Sequence, residues 1–137
     1  EIQLENYCKT VRIEALAMVD MARKEILPAV EEYVSDLATA AAAKRAVSAE
    51  LSCGYEKKLL HRLTSLVDTM DGRVDALEEK LVRLDTLRSA GEEAAFIRDE
   101  LIPAMGELRA VADESETQTA AGYWPFPTYG DLLFGVK

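Results

Sequence analysis

A heptad pattern in the middle of the chain is the feature that most restricts its fold. Apolar residues recur there at alternating spacings of three and four and form a single seam. This spacing predicts a long helix whose seam packs against other helices with the left-handed geometry of a coiled coil. The predicted seam consists of Leu60, Leu63, Val67, Met70, Val74, Leu77, Leu81 and Leu84.

The rest of the chain also has a helix-forming composition. Only seven Gly and four Pro interrupt its 137 residues, and no stretch alternates apolar and polar residues as a strand would. We predict an all-α fold, with helices at about 1–47, 54–89 and 92–117. Residues 1–118 would form an antiparallel three-helix bundle with a long coiled-coil arm, and residues 119–137 an extended aromatic C-terminal tail.

A ten-residue pattern occurs twice, at residues 23–32 and at residues 98–107. Each copy has a proline inside a helical pattern, Pro28 in the first and Pro103 in the second. A proline in a helix removes one backbone donor, so we expect a kink at each position. Internal duplication and independent convergence on the same solution both explain the repeat.

The charge balance restricts the partners of the chain. There are 16 Lys and Arg against 25 Asp and Glu, which gives a net charge of −9. This excess disfavours nucleic acids and anionic membranes, because both bind clustered basic residues. No apolar run is long enough to cross a membrane. Cys8 and Cys53 form no C-x-x-C motif and are typical of reduced thiols in a cytoplasmic protein.

The sequence offers little for catalysis or metal binding. His61 is the only histidine, and Lys58 and Thr64 stand where a metal-binding helix would place glutamates. The two cysteines are too few for structural zinc. Neighbouring acidic residues, such as Glu78 and Glu79, lie on predicted exposed faces. We therefore predict no catalytic, cofactor-binding or metal-binding residue in this chain.

The tail is too apolar to lie in water and too short to form a core of its own. It can fold back over the bundle, or it can dock on another domain or subunit, and these two interpretations do not exclude each other. Aromatic side chains dominate the binding energy of many interfaces. The predicted docking residues are Trp124, Pro125, Phe126, Pro127, Tyr129, Leu132, Leu133 and Phe134.

Both ends of the chain resemble a known family. The string from Trp124 to Phe134 (WPFPTYGDLLF) looks like the extreme C-terminus of type III glutamine synthetases. Residues 11–23 and the Ile-Leu-Pro-Ala segment at 26–29 are similar to the helix that follows the catalytic core in that family. The heptad region fits as a variable helical connection. Since the chain begins with Glu1 rather than Met, we expect a piece of a longer enzyme.

This resemblance implies a parent enzyme that joins ammonia to glutamate at the expense of ATP, with Mg or Mn as its metal, and that assembles as a large ring homo-oligomer. Its nucleotide, metal and glutamate ligands would lie upstream of this chain. We thus expect a fragment that is inactive alone and has no cofactor of its own. Its partners would be the catalytic region of the parent chain and neighbouring subunits.

Two other functions stay open at this point. The chain could be a freestanding coiled-coil adaptor that self-associates through the Leu60–Leu84 seam. It could also be a small helical enzyme, which would require a buried arginine or lysine in a pocket.

Overall fold

In the computed structural model, residues 2–127 are described, and every regular element among them is helical. Two five-residue π turns, Ala22–Ile26 and Ile97–Leu101, connect α1 to α2 and α4 to α5 without a break. The chain thus forms three continuous helical segments, and the all-α prediction is confirmed. The α-helices are α1 (Ile2–Met21), α2 (Leu27–Val47), α3 (Gly54–Leu84), α4 (Ala90–Phe96) and α5 (Ile102–Gln118).

Helix α3 lies against the other two helical segments and contacts α1, α2 and α5. Ion pairs show the direction of the first segment: Arg12 binds Asp85 near one end, and Lys44 binds Glu56 near the other. Since residue numbers rise on one helix as they fall on its partner, α1 and α2 run antiparallel to α3.

The third segment also runs antiparallel to α3. Lys80 forms an ion pair with Glu100, whereas Arg73, earlier in α3, donates to the carbonyl oxygen of Glu107, later in the third segment. The first and third segments therefore run in the same direction, one on each side of α3.

The apolar residues of all three segments form one contiguous core. Leu60 and Val67 of the predicted seam are half-buried, and Leu59 is buried beside Leu60. A straight helix has 3.6 residues per turn, so a seam of period 3.5 drifts around it and the facing residue changes along α3. The seam residues that are buried are Leu63, Met70, Val74, Leu77, Leu81 and Leu84.

The two π turns lie at equivalent positions of the repeated sequence pattern, just before Pro28 and Pro103. The N–H of Leu27 donates to the carbonyl of Ala22, and the N–H of Ile102 to that of Ile97, both five residues back. A proline ring clashes with the carbonyl four residues before it, and a wider turn relieves that clash. Each helical segment consequently continues past its proline.

The predicted end of the second helix at residue 89 is wrong, because α3 ends at Leu84. The third segment begins at Ala90, two residues earlier than predicted, because Ser89 caps it. The Ser89 Oγ accepts from the N–H of Glu92, and the Glu92 carboxylate accepts from the N–H of Arg88. The first bond satisfies a backbone donor that the first turn of a helix leaves free, and the second fixes the residue that precedes the cap.

After α5 the chain turns back onto the helices. The ring of Tyr123 lies 4.8 Å from the ring of Tyr33, and its hydroxyl donates to Asp36 on α2. Trp124 and Phe126 also pack against the core. Residues 128–137 lie outside the described residues, and with them the predicted docking residues Tyr129, Leu132, Leu133 and Phe134.

Candidate interaction surfaces

Several acidic residues of the described chain form ion pairs between helices. Arg23 binds both Asp75 and Glu78, and hydrogen bonding to Arg23 lowers the pKa of Glu78. Likewise, the hydrogen bond from Lys80 lowers the pKa of Glu100. A general acid at neutral pH needs a carboxyl whose pKa is raised instead. These carboxylates therefore stabilise the packing of the helices.

Metal ligands are not gathered in one place. Within residues 2–127, no group of three or more His, Cys, Asp and Glu side chains could hold a metal ion. His61 is exposed on α3. No helix in this range is long and apolar enough to cross a membrane.

Both cysteines are buried and lie in different parts of the fold. The Cys8 thiol donates to the carbonyl oxygen of Ala90 over 3.8 Å. Burial raises its pKa, and the nearby carboxylates of Glu93 and Glu5 raise it further. Since the thiolate is the reactive form of cysteine, these surroundings make Cys8 a poor nucleophile.

An apolar groove of about 330 Å³ lies between the first and third helical segments, beside the start of the tail. We call it the aromatic groove, because Trp124 and Phe126 form one wall, with their ring centroids 6.4 Å apart in an edge-to-face arrangement. Its rim carries Arg109, Asp113 and Glu116. The apolar residues that line the rest of it are Met18, Met21, Ala22, Ile26, Leu108, Ala112 and Pro127.

The structure places the described docking residues of the tail in two environments. Trp124 and Phe126 are half-buried against the core of their own chain, whereas Pro125 and Pro127 are exposed. The start of the tail thus covers part of its own helices, and docking on a partner stays a prediction. Sequence reasoning missed the methionines of the groove, because they are about a hundred residues from the tail and no local pattern links them to it.

A second apolar surface follows the outer side of α1. Ile2, Ile13 and Leu16 are exposed there, whereas Val11 and Ala15 of the same helix are buried. In an amphipathic helix this side is normally polar. Exposed apolar residues on one side of a helix are typical of a surface that is covered by another domain or subunit.

A third apolar surface is the tip of the α2–α3 hairpin, which we define as residues 44–58. Val47, Leu51 and Tyr55 are exposed there. The turn itself is held by the ion pair between Lys44 and Glu56, whose Nζ and Oε2 atoms are 2.6 Å apart. This surface is not visible in the sequence, because its three apolar residues follow no helical period.

Comparison with known proteins agrees with the resemblance seen at both ends of the chain. Residues 1–45 match the family model of the glutamine synthetase C-terminal domain. A glutamine synthetase from Butyrivibrio fibrisolvens is 31% identical over 137 residues, which cover 100% of this chain and 20% of the relative. A type-3 glutamine synthetase from Dictyostelium discoideum is 25% identical over 138 residues, which cover 98% of this chain and 19% of the relative.

A glutamine synthetase from Bacteroides fragilis is 26% identical over 141 residues, covering 98% of this chain and 19% of the relative. The chain therefore spans about a fifth of the length of these relatives. No solved structure matches it significantly. These matches confirm the family that the two ends of the sequence resemble: the chain belongs to the glutamine synthetase family, and its first 45 residues match the model of that family's C-terminal domain.

Proposed function

We propose that this chain is the non-catalytic, helical C-terminal domain of a type III glutamine synthetase and serves packing and subunit assembly. The observation that carries this proposal is that the similarity extends over the whole chain but covers only about a fifth of each relative. In finer detail, the domain would be an antiparallel three-helix bundle with a coiled-coil arm and a docking tail. The parent enzyme would ligate ammonia to glutamate at the expense of ATP in the cytoplasm.

ATP and Mg or Mn would be bound by the part of the parent that lies outside this chain. Two observations support this placement. The side chains of residues 2–127 do not form a metal-binding group. In addition, the carboxylates of Glu78 and Glu100 are already paired with an arginine and a lysine. We therefore derive no catalytic step through the residues described here.

The outer side of α1 is the surface that we propose to face the catalytic region of the parent. Ile13 and Leu16 are exposed on it, and both lie within the 45 residues that match the family's C-terminal domain. Burying such aliphatic side chains contributes about 1.5–3 kcal/mol each. The aromatic residues of the tail would add a contact to a neighbouring subunit.

Two alternatives have less support. For a coiled-coil adaptor, the seam would have to face a second chain, but Met70, Val74 and Leu77 are fully buried against helices of their own chain. For a small helical enzyme, a buried cation would be needed to hold an anionic substrate, and no arginine or lysine is buried in residues 2–127.

The isolated chain provides the first test of the non-catalytic role. We expect no glutamine formation from glutamate, ammonia and ATP with Mg²⁺, because the metal and nucleotide ligands would lie in the part of the parent outside this chain. Glutamine would be measured by chromatography against a reaction without protein. Turnover above that blank would contradict the proposal.

The parent enzyme provides the second test. Ile13→Asp combined with Leu16→Asp should disrupt assembly and lower activity by about tenfold or more, because the carboxylates would have to be desolvated in the interface. The control is Ala110→Asp, since Ala110 is apolar and exposed on α5, which belongs to the third helical segment. Particle mass by light scattering and the glutamine assay give the two readouts. A double variant that keeps both at the control's level would contradict the docking of α1.

A further inference from the structure

We propose that the tip of the α2–α3 hairpin docks into the aromatic groove of a second copy of this chain. The contact would join the two copies head to tail. This inference deepens the assembly role proposed above by naming a partner for the groove. It rests on four observations about the described residues: the exposure of the tip, its rigidity, its charge and its distance from its own groove.

The tip exposes large apolar side chains, and folding of the chain does not require this exposure. Val47 is 80% exposed, Tyr55 is 65% exposed and Leu51 is 43% exposed. They come from the end of α2, the turn and the start of α3, so they are close together at one end of the molecule. Clustered apolar exposure of this kind is typical of a protein contact surface.

The backbone that carries these side chains is held in place. Lys44 binds Glu56 across the hairpin and also donates to the carbonyl oxygen of Ser52 over 3.5 Å. The hydroxyl of Ser48 accepts from the N–H of Glu50, and the thiol of Cys53 donates to the carbonyl of Ala41. A surface that is already ordered loses less conformational entropy on binding, which favours association.

The aromatic groove has the shape and lining to receive such a tip. It offers about 330 Å³ between Trp124, Phe126 and the methionines of α1. Methionine side chains adapt to the shape of a partner, and aromatic walls offer a large apolar area to inserted aliphatic side chains. Val47 and Leu51 are the exposed aliphatic residues of the tip and are the side chains that we place in the groove, because the hydroxyl of Tyr55 lies against Tyr33 of its own chain.

The charges of the two surfaces are complementary. Four basic residues in the tip, Lys44, Arg45, Lys57 and Lys58, outnumber Glu50 and Glu56, which gives a net charge of 4 − 2 = +2. On the groove side, one arginine, Arg109, stands against Asp113 and Glu116, a net charge of 1 − 2 = −1. Two tips would repel each other, whereas a tip and a groove attract.

The tip cannot occupy the groove of its own chain. Ile26 lines the groove, and Val47 lies 21 residues further along the same helical segment. At a rise of about 1.5 Å per residue, this separates them by roughly 30 Å. A contact between tip and groove must therefore join two copies, and because the two surfaces differ, repetition of the contact produces an open chain or a ring.

Sedimentation velocity of the 137-residue chain tests the proposal. We expect the mean mass to rise above the monomer value of 15.1 kDa with protein concentration and to fall back at high salt, where charge attraction is screened. Leu51→Asp in the tip and Met21→Lys in the groove should each weaken association by about tenfold or more. Both side chains are partly exposed, so both variants should fold, and circular dichroism checks this. Val82→Asp is the matched control and should associate like the wild type.

Mixing the two variants separates this contact from a symmetric one. The Leu51→Asp chain keeps an intact groove and the Met21→Lys chain keeps an intact tip, so the mixture should form a one-to-one dimer of about twice 15.1 kDa and nothing larger. A mixture of folded variants that stays monomeric would overturn the proposal, and so would a monomeric wild type. If either variant melts early, Val47→Asp or Ala112→Lys replaces it. None of these readouts uses the enzymatic assay, so this contact can fail while the proposed non-catalytic role stands.

Discussion

At the scale of single residues, Glu56 shows how the hairpin is held together. Its side chain is buried, one carboxylate oxygen binds Lys44, and the other makes no hydrogen bond within the described residues. The hydrogen bond from Lys44 is the main reason that the pKa of Glu56 is lowered. A buried carboxylate without a counter-ion is strongly destabilising, so Lys44 is what makes this arrangement stable.

Replacing Lys44 tests this interpretation. Lys44→Met should lower the melting temperature clearly more than Lys24→Met, because the partner of Lys24 is the exposed Asp20, and exposed pairs contribute little. Adding Glu56→Gln to Lys44→Met should restore part of the loss, since an amide needs no counter-charge. Thermal melts followed by circular dichroism at pH 7 measure both effects. Equal melting temperatures for the two lysine variants would contradict the structural role of the pair.

At the scale of the elements, the two π turns have the same physical origin. Each precedes a proline within the repeated pattern, and each adds the equivalent of about one residue to its helical segment. The buried residues before the first turn, such as Ala15 and Val19, and those after it, such as Val30, face the same core only because this extra residue is accommodated. The turn therefore sets the rotation of α2 relative to α1.

A deletion within the first π turn tests that rotation. Removing Glu25, which is exposed, together with Pro28→Ala should convert the turn to regular α-helix and keep both buried faces on the core. We expect a free energy of unfolding within about 1 kcal/mol of the wild type, as for a surface change.

The matched control is removal of Glu14, which is exposed in regular helix. This deletion should rotate one buried face away by about 100° and cost about 1.5–3 kcal/mol for each aliphatic side chain exposed. Urea denaturation gives both values. If the two deletions were equally destabilising, the π turn would not act as an inserted residue.

At the scale of the whole molecule, ion pairs connect all three helical segments. Arg12 and Arg23 connect the first segment to α3, and Lys80 connects α3 to the third. The basic partners lower the pKa values of Glu56, Glu78, Asp99 and Glu100. Folding is then favoured most when these carboxylates are charged.

The pH dependence of stability follows from the direction of these shifts. The unfolded glutamates have the ordinary pKa of 4.5, and the folded ones titrate below it, so the unfolded state binds protons more readily. We expect the stabilisation to be complete above pH 4.5 and to be lost as the pH falls through the lowered pKa values. Glu78→Gln with Glu100→Gln should make the loss shallower in urea denaturation from pH 7 to pH 3. A loss as steep as that of the wild type would contradict the role of these pairs.

Part of the candidate sites was accessible from the sequence alone. Trp124 and Phe126 stand out in an aromatic string, and both line the groove. Met18 and Met21 do not stand out, because on α1 they are two apolar residues among many. The apolar tip was missed as well, since Val47, Leu51 and Tyr55 lie in three different local structures.

The local pattern of the chain was enough to predict its helical class and its family. Helix formation depends on residues three and four apart, and the aromatic string at the end is contiguous, so both are visible along the sequence. The details of assembly depend on contacts between distant residues, as between Tyr33 and Tyr123 or Lys44 and Glu56. The rotation at the π turns, the groove and the shape of the tip were therefore decided by tertiary packing, because a contact energy exists only when both partners are in place.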